Sequence, residues 1–210
     1  MVMINVDSDG RVVGISVFVV DPGVTTGVGW CAIPIQKIRT LLAYEAVAWA
    51  LNEGFGDLAT VDCQDEVQGA CSVVEYYLAA TEIMCGLGSG NMKQFNAIVV
   101  EDFVIRSGAV GTSAFGSRAL LSPVRVGHLF YGMLWGMKSA SANSGYPLAD
   151  LSLVQPSLAK TSCNNKRLVD WGMWIPSLSA HEQDCLRHMI YYFMGIDAMG
   201  RETAKYKEGF

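Results

Sequence analysis

The sequence predicts a single α/β domain, and three observations predict it. A continuous β-branched run at residues 12–20 (VVGISVFVV) closes on Asp21-Pro22-Gly23, two stretches at 65–84 and 118–138 carry helical apolar stripes, and a short apolar run, AIVV, lies between them at 97–100. At 210 residues and 51% hydrophobic content, with 17% charged, the chain can build a sizeable core and lies far from disordered composition. The length is about one and a half times that of a common domain, so one domain with insertions, spanning 1–210, is expected.

Each element has its own reason. Residues 12–20 read as a buried central strand followed by a tight turn, and 25–33 (TTGVGWCAI) and 41–51 (LLAYEAVAWAL) as second and third strands of an antiparallel meander. Residues 65–84 place apolar side chains at 67, 70, 71, 74, 77 and 78 with acids in the first turn, which suits an amphipathic helix. Gly86, Gly88 and Gly90 end it. The strand at 97–100 delivers Glu101-Asp102 and is followed by a Gly/Ser-rich loop at 107–117. In 118–138, Val126, Leu129, Phe130, Met133, Leu134 and Met137 form one stripe, with Arg118 and Arg125 on a flank. Residues 151–155 read as a further strand and 166–171 as a short helix. Residues 179–194 read as a terminal helix, with Ser179 and Glu182 in capping-box spacing. The tail from about 200 is polar and expected to fray.

Charge excludes little by its sum and more by its distribution. A net charge of -5 argues against a polyanionic partner, yet residues 1–105 hold four Lys and Arg against thirteen Asp and Glu, while 106–210 hold eleven against seven. From Arg106 to Arg167 there are seven cations and one acid, Asp150, so a local basic surface is expected. No apolar run reaches the roughly 18 residues of a membrane span. The first ten residues carry Asp7 and Asp9 with no cation, unlike a secretory n-region, so a cytoplasmic location without membrane association is expected. The six cysteines show no CxxC pair or zinc spacing and read as free buried thiols.

Three features put carboxylates or imidazole at the ends of apolar elements. Asp21 ends the first strand, Glu101 the fourth, and His181 with Asp184 lies one turn apart on the last helix. Converging carboxylates repel unless a cation sits among them, and hard oxygen donors favour Mg²⁺ or Mn²⁺ over zinc. Two such ions about 3.5–4 Å apart suit phosphodiester cleavage.

On VFVVDPGVTTGVGW (17–30), AIVVEDFVIR (97–106) and SAHEQDCLRHMIYYF (179–193), the chain resembles the RuvC-type Holliday junction resolvases of the RNase H-like superfamily, in particular their phage-encoded relatives. The resemblance implies a five-stranded mixed sheet of order 3-2-1-4-5 flanked by helices, and a homodimer that cuts branched DNA with Mg²⁺, Mn²⁺ substituting, two ions per site. The host cell's cytoplasm is implied if the protein is phage-encoded. The metal-binding catalytic positions map onto Asp21, Glu101, His181 and Asp184, with His181 either a ligand or an acid/base helper. Gly23 and Gly27 would leave room beside the scissile phosphate. Arg106, Phe115, Arg118, Arg125, Lys160 and Lys166 are the candidate DNA-binding residues, either lysine being able to neutralise the phosphate.

The chain departs from the family in two places. The 80-residue gap from Asp21 to Glu101 implies an enlarged insertion. The junction-stacking aromatic falls on Val104, so Phe103 or Phe115 would have to substitute. Three other readings compete: a nuclease of flap or RNA–DNA hybrid specificity, a non-catalytic DNA-binding module, and an actin-like or sugar-kinase phosphate loop. The last needs two such domains, more than this length holds.

Overall fold

The computed structural model describes residues 5–6, 12–87, 95–101, 118–140, 150–154 and 156–207, with side chains over 14–86, 95–101, 122–137, 139 and 158–196. In chain order the strands are β1 (Asn5–Val6), β2 (Val12–Asp21), β3 (Thr25–Pro34), β4 (Gly56–Asp62), β5 (Ala97–Glu101) and β6 (Asp150–Val154). The helices are α1 (Ile35–Thr40), α2 (Ala43–Asn52), α3 (Glu66–Leu87), α4 (Arg118–Ala140), α5 (Pro156–Ser162), α6 (Asn165–Asp170) and α7 (Ala180–Lys207). The sheet runs β4-β3-β2-β5-β6, with β1 paired to β2 off that path. The β2–β3 and β3–β4 pairs are antiparallel, and β2–β5 and β5–β6 are parallel. With β1 set aside, this is the 3-2-1-4-5 strand order implied by the resemblance, a mixed sheet flanked by helices.

β2 is mostly apolar because both its faces are covered. Ile15, Val17 and Val19 pack with Leu186, Met189, Ile190 and Phe193 of α7 and with Ala46, Val47 and Ala50 of α2. Phe18 and Val20 face the other way, toward Val73, Tyr77 and Met84 of α3 and Val126, Phe130 and Leu134 of α4. There Phe18 meets Tyr77 edge-on at 5.1 Å and Phe95 at 5.6 Å.

The third strand is a correction. Residues 41–51 are helical for most of their length: Ala43, Ala46, Val47 and Ala50 are buried at helical spacing, and the Glu45 carboxylate accepts from the Leu42 N–H at 2.9 Å. Alanine at four of the first eight positions of α2 favours the helix further. The edge strand is instead β4, a polar seven-residue segment. The span between Asp21 and Glu101 thus holds β3, α1, α2, β4 and the 22-residue α3.

The other expected elements occur within a few residues of their predicted bounds except the last helix, which was expected to end at 194 before a frayed tail and instead runs on to Lys207. The loop at 107–117 lies outside the described residues. Of the cysteines, 31, 63, 163 and 185 are buried as expected, but Cys71 is half-buried and Cys85 exposed. Among the described residues, no helix is long and apolar enough to cross a membrane.

Candidate metal centre

Three elements deliver the acidic residues to one point. β2 and β5 pair in parallel with Val20 opposite Val100, so Asp21 and Glu101, the next residue of each, end adjacent strands side by side. The turn after Asp21 is closed by the buried Thr26 hydroxyl, which accepts from the Gly23 N–H at 3.1 Å and donates to the Gly23 carbonyl at 3.0 Å. α7 begins at the expected capping box: the Glu182 N–H donates to Ser179 Oγ at 3.2 Å, and the Ser179 N–H to Glu182 Oε2 at 2.6 Å. The first turns of the helix therefore start beside the strand ends, bringing His181 and Asp184 to them.

Gly27 lets α7 approach. A Cβ there would lie 2.5 Å from the His181 carbonyl oxygen and 3.0 Å from Cys185 Sγ, and one at Gly23 would lie 2.9 Å from the Thr25 carbonyl oxygen. A Cβ at either glycine would thus crowd this chain's own atoms. At Gly27 the space is taken by helix backbone, which cannot move aside as a side-chain end could.

Asp21, Glu101 and Asp184 each present a carboxylate oxygen, and these lie within 4.8 Å of one another. Three hard oxygen donors at that spacing fit Mg²⁺ or Mn²⁺ and do not suit a soft, thiolate-preferring ion. His181 stands beside this group: its Nδ1 is 2.6 Å from Asp21 Oδ2. Burial pushes the Asp21 carboxyl above its ordinary value against the His181 hydrogen bond, and the charges of Glu101 and Asp184 push the same way. The hydrogen bond to Asp21 raises His181.

Glu101 is held differently. Burial alone would raise it, but a hydrogen bond from His188 Nε2 at 2.7 Å and the Lys160 ammonium outweigh burial and hold its carboxyl below the ordinary value. Lys160 Nζ stands 2.8 Å from Asp184 Oδ2 and 3.4 Å from Glu101 Oε1, bridging the two. Arg187, only 8% exposed, donates from Nη1 to Asp184 Oδ1, from Nη2 to Asn165 Oδ1 at 2.5 Å and from Nε to the Cys163 carbonyl at 3.1 Å. An open cleft of about 620 Å³ adjoins the group, lined by Lys160, Asn164, Asn165, Lys166, Asp184 and Arg187.

The sequence-derived residues thus separate. Asp21, Glu101, His181 and Asp184 come together, and Lys160 joins them. Lys166 lies on the cleft rim, 84% exposed and paired with Asp170 at 2.5 Å on its own helix. Arg125 is exposed and pairs with Glu66 at 3.4 Å, a surface contact worth about 0–1 kcal/mol. Arg106, Phe103, Val104 and Phe115 lie outside the described residues, as does the side chain of Arg118. Arg187 and His188 escaped the sequence reading. Their signal is spacing: positions 181, 184 and 188 share one face of α7, and 187 stands one turn from 184.

No protein-family model and no curated protein matches the chain. Among solved structures it is similar to Thermus thermophilus RuvC, at 14% identity over 89% of this chain and 97% of that one, with a TM-score of 0.44. It is also similar to T. thermophilus RuvC in complex with Holliday junction substrate, at 16% identity over 86% of this chain and 94% of that one, with a TM-score of 0.42.

Proposed function

We propose that this chain is a metal-dependent endonuclease that cleaves phosphodiester bonds of branched DNA, of the Holliday junction resolvase class, and that it acts as a homodimer. One observation carries the reading: carboxylates from β2, β5 and α7, remote in sequence, meet within 4.8 Å beside a cation-lined cleft. Asp21, Glu101 and Asp184 would hold Mg²⁺ or Mn²⁺, two ions per site. Bound there, the ions supply an activated water and charge stabilisation for the leaving oxygen.

The chain's own groups do the rest. Lys160, with 42% of its side chain exposed, can turn its ammonium from the carboxylates to a phosphate oxygen, and Lys166 extends that positive edge. His181 keeps Nδ1 on Asp21, which fixes the ring and leaves Nε2 to give or take a proton. Arg106, Arg118 and Arg125 would track the backbone further out, and Phe115 would stack on a base. The Arg125–Glu66 pair is weak enough to yield to a phosphate.

The test is a panel of synthetic four-way, flap, duplex and hybrid substrates with Mg²⁺, Mn²⁺ or chelator. Four-way junctions should be cut in Mg²⁺ and left intact with chelator. Asp21→Asn and Glu101→Gln should bind the junction yet cut at least about a hundredfold more slowly, beyond what loss of an outer-shell partner usually costs. Normal cleavage by either variant overturns the assignment, and preference for a flap or hybrid moves it to another nuclease specificity.

A further inference from the structure

His188 is a side chain that the proposed chemistry does not use. It is 1% exposed, on the face of α7 that meets the sheet, between Arg187 and Met189. Burying an imidazole is costly unless its nitrogens are bonded, and an apolar residue of similar size would suit a core position better. The Nδ1 atom has no hydrogen-bond partner among the described residues. Nε2 faces the Glu101 carboxylate at 2.7 Å, so it carries the proton and donates it. The ring thus leaves one polar atom unmet, and its polar contact with the described protein is a carboxylate of the candidate metal centre.

Glu101 needs such a partner more than a rigid side chain would. A glutamate at the end of a strand has three side-chain torsions, and its second oxygen is reached by Lys160, a flexible and partly exposed chain, at 3.4 Å. The histidine comes from a helix packed against the sheet, with Leu186, Met189 and Ile190 fully buried around it. Its two torsions are fixed by packing, so its hydrogen bond selects one Glu101 rotamer.

We infer that His188 is a positioning residue that orients the Glu101 carboxylate toward the divalent cation. The inference rests on the metal-centre reading above. Ordering a ligating carboxylate in advance removes conformational freedom that the cation would otherwise have to restrict, and loss of such an outer partner costs about 10–100-fold in metal affinity.

Calorimetric Mn²⁺ titration of the full chain, without DNA, tests it on the wild type, His188→Leu, His188→Gln and His188→Asn, with melting temperatures taken in chelator. The glutamine amide can place a donor near Nε2, whereas the shorter asparagine amide cannot. His188→Leu leaves a buried Glu101 oxygen without its donor, so it should melt lower in chelator and bind Mn²⁺ about 10–100-fold more weakly. His188→Gln should recover most of the affinity and His188→Asn should not. Wild-type affinity in His188→Leu, or equal affinity in the glutamine and asparagine variants, overturns the positioning role while leaving the metal centre intact. Failure of the wild type to bind Mn²⁺ removes both. If the leucine variant does not fold, the glutamine–asparagine comparison still decides.

Discussion

Asp21 and Glu101 end neighbouring parallel strands at the same level, yet the first carboxyl is pushed above its ordinary value and the second is held below it. Both are buried, so burial does not separate them. The difference lies in what reaches each one. Among the described residues, the Asp21 side chain receives a hydrogen bond from a half-buried histidine and feels the charges of Glu101 and Asp184. Glu101 receives a fully buried histidine and an ammonium. In this reading the Glu101 side is organised in advance, whereas the Asp21 side keeps a repulsion that a divalent cation would relieve.

Removing Lys160 should break the comparison most. Lys160→Met takes the ammonium from Glu101 and Asp184, so cleavage should fall by about 10–100-fold, the range seen for outer-shell partners. Mn²⁺ affinity should not fall, because the incoming cation loses a like-charged neighbour. Single-turnover cleavage and calorimetry read the two effects separately, and a matching loss in both would assign Lys160 to ordering the ligands.

Asp21→Asn should sharpen the contrast through stability. Because the folded protein raises the Asp21 carboxyl, the native state binds that proton more tightly than the unfolded chain does. This contribution is favourable at acid pH, is lost as pH rises through the raised value, and leaves ionised Asp21 as a cost at neutrality. The variant should therefore melt higher than the wild type at pH 7 in chelator. A gain of roughly 1 kcal/mol corresponds to about 2–4 °C for a chain of this size. Adding Mg²⁺ should raise the wild type and narrow the gap, which scanning calorimetry measures.

The smallest effect concerns His181. Its bond to Asp21 raises the pKa of the ring, so that bond adds stability below the ordinary histidine value, and the contribution is lost as pH rises through the raised one. In metal-free protein the His181 ring resonances should titrate above the usual histidine range, and Asp21→Asn should bring them down. An unchanged titration in the variant would separate His181 from Asp21.

Much of this contrast was legible in the chain, and its cause was not. Asp21, Glu101 and Asp184 stand out because each closes or punctuates an apolar element, which periodicity finds. The strand order followed from the resemblance of three motifs. The third strand was misplaced because LLAYEAVAWAL is apolar and alanine-rich, so period 2 and period 3.6 both fit a stretch so short. The true edge strand, GDLATVD, carries Gly and two Asp, which strand propensity disfavours. Spacing alone did not single out Arg187 and His188, because a polar residue on a helix face gains meaning from what it meets once the chain is folded. Their partners lie at Asp184 and Glu101, the second 87 residues away.

Anomalous diffraction from a crystal soaked in Mn²⁺ tests most directly whether these three carboxylates form a cation site. The account predicts a peak coordinated by Asp21, Glu101 and Asp184, with Lys160 displaced from the carboxylates and His188 still bonded to Glu101. Manganese bound elsewhere on the chain, with Lys160 still bridging Glu101 and Asp184, would contradict it.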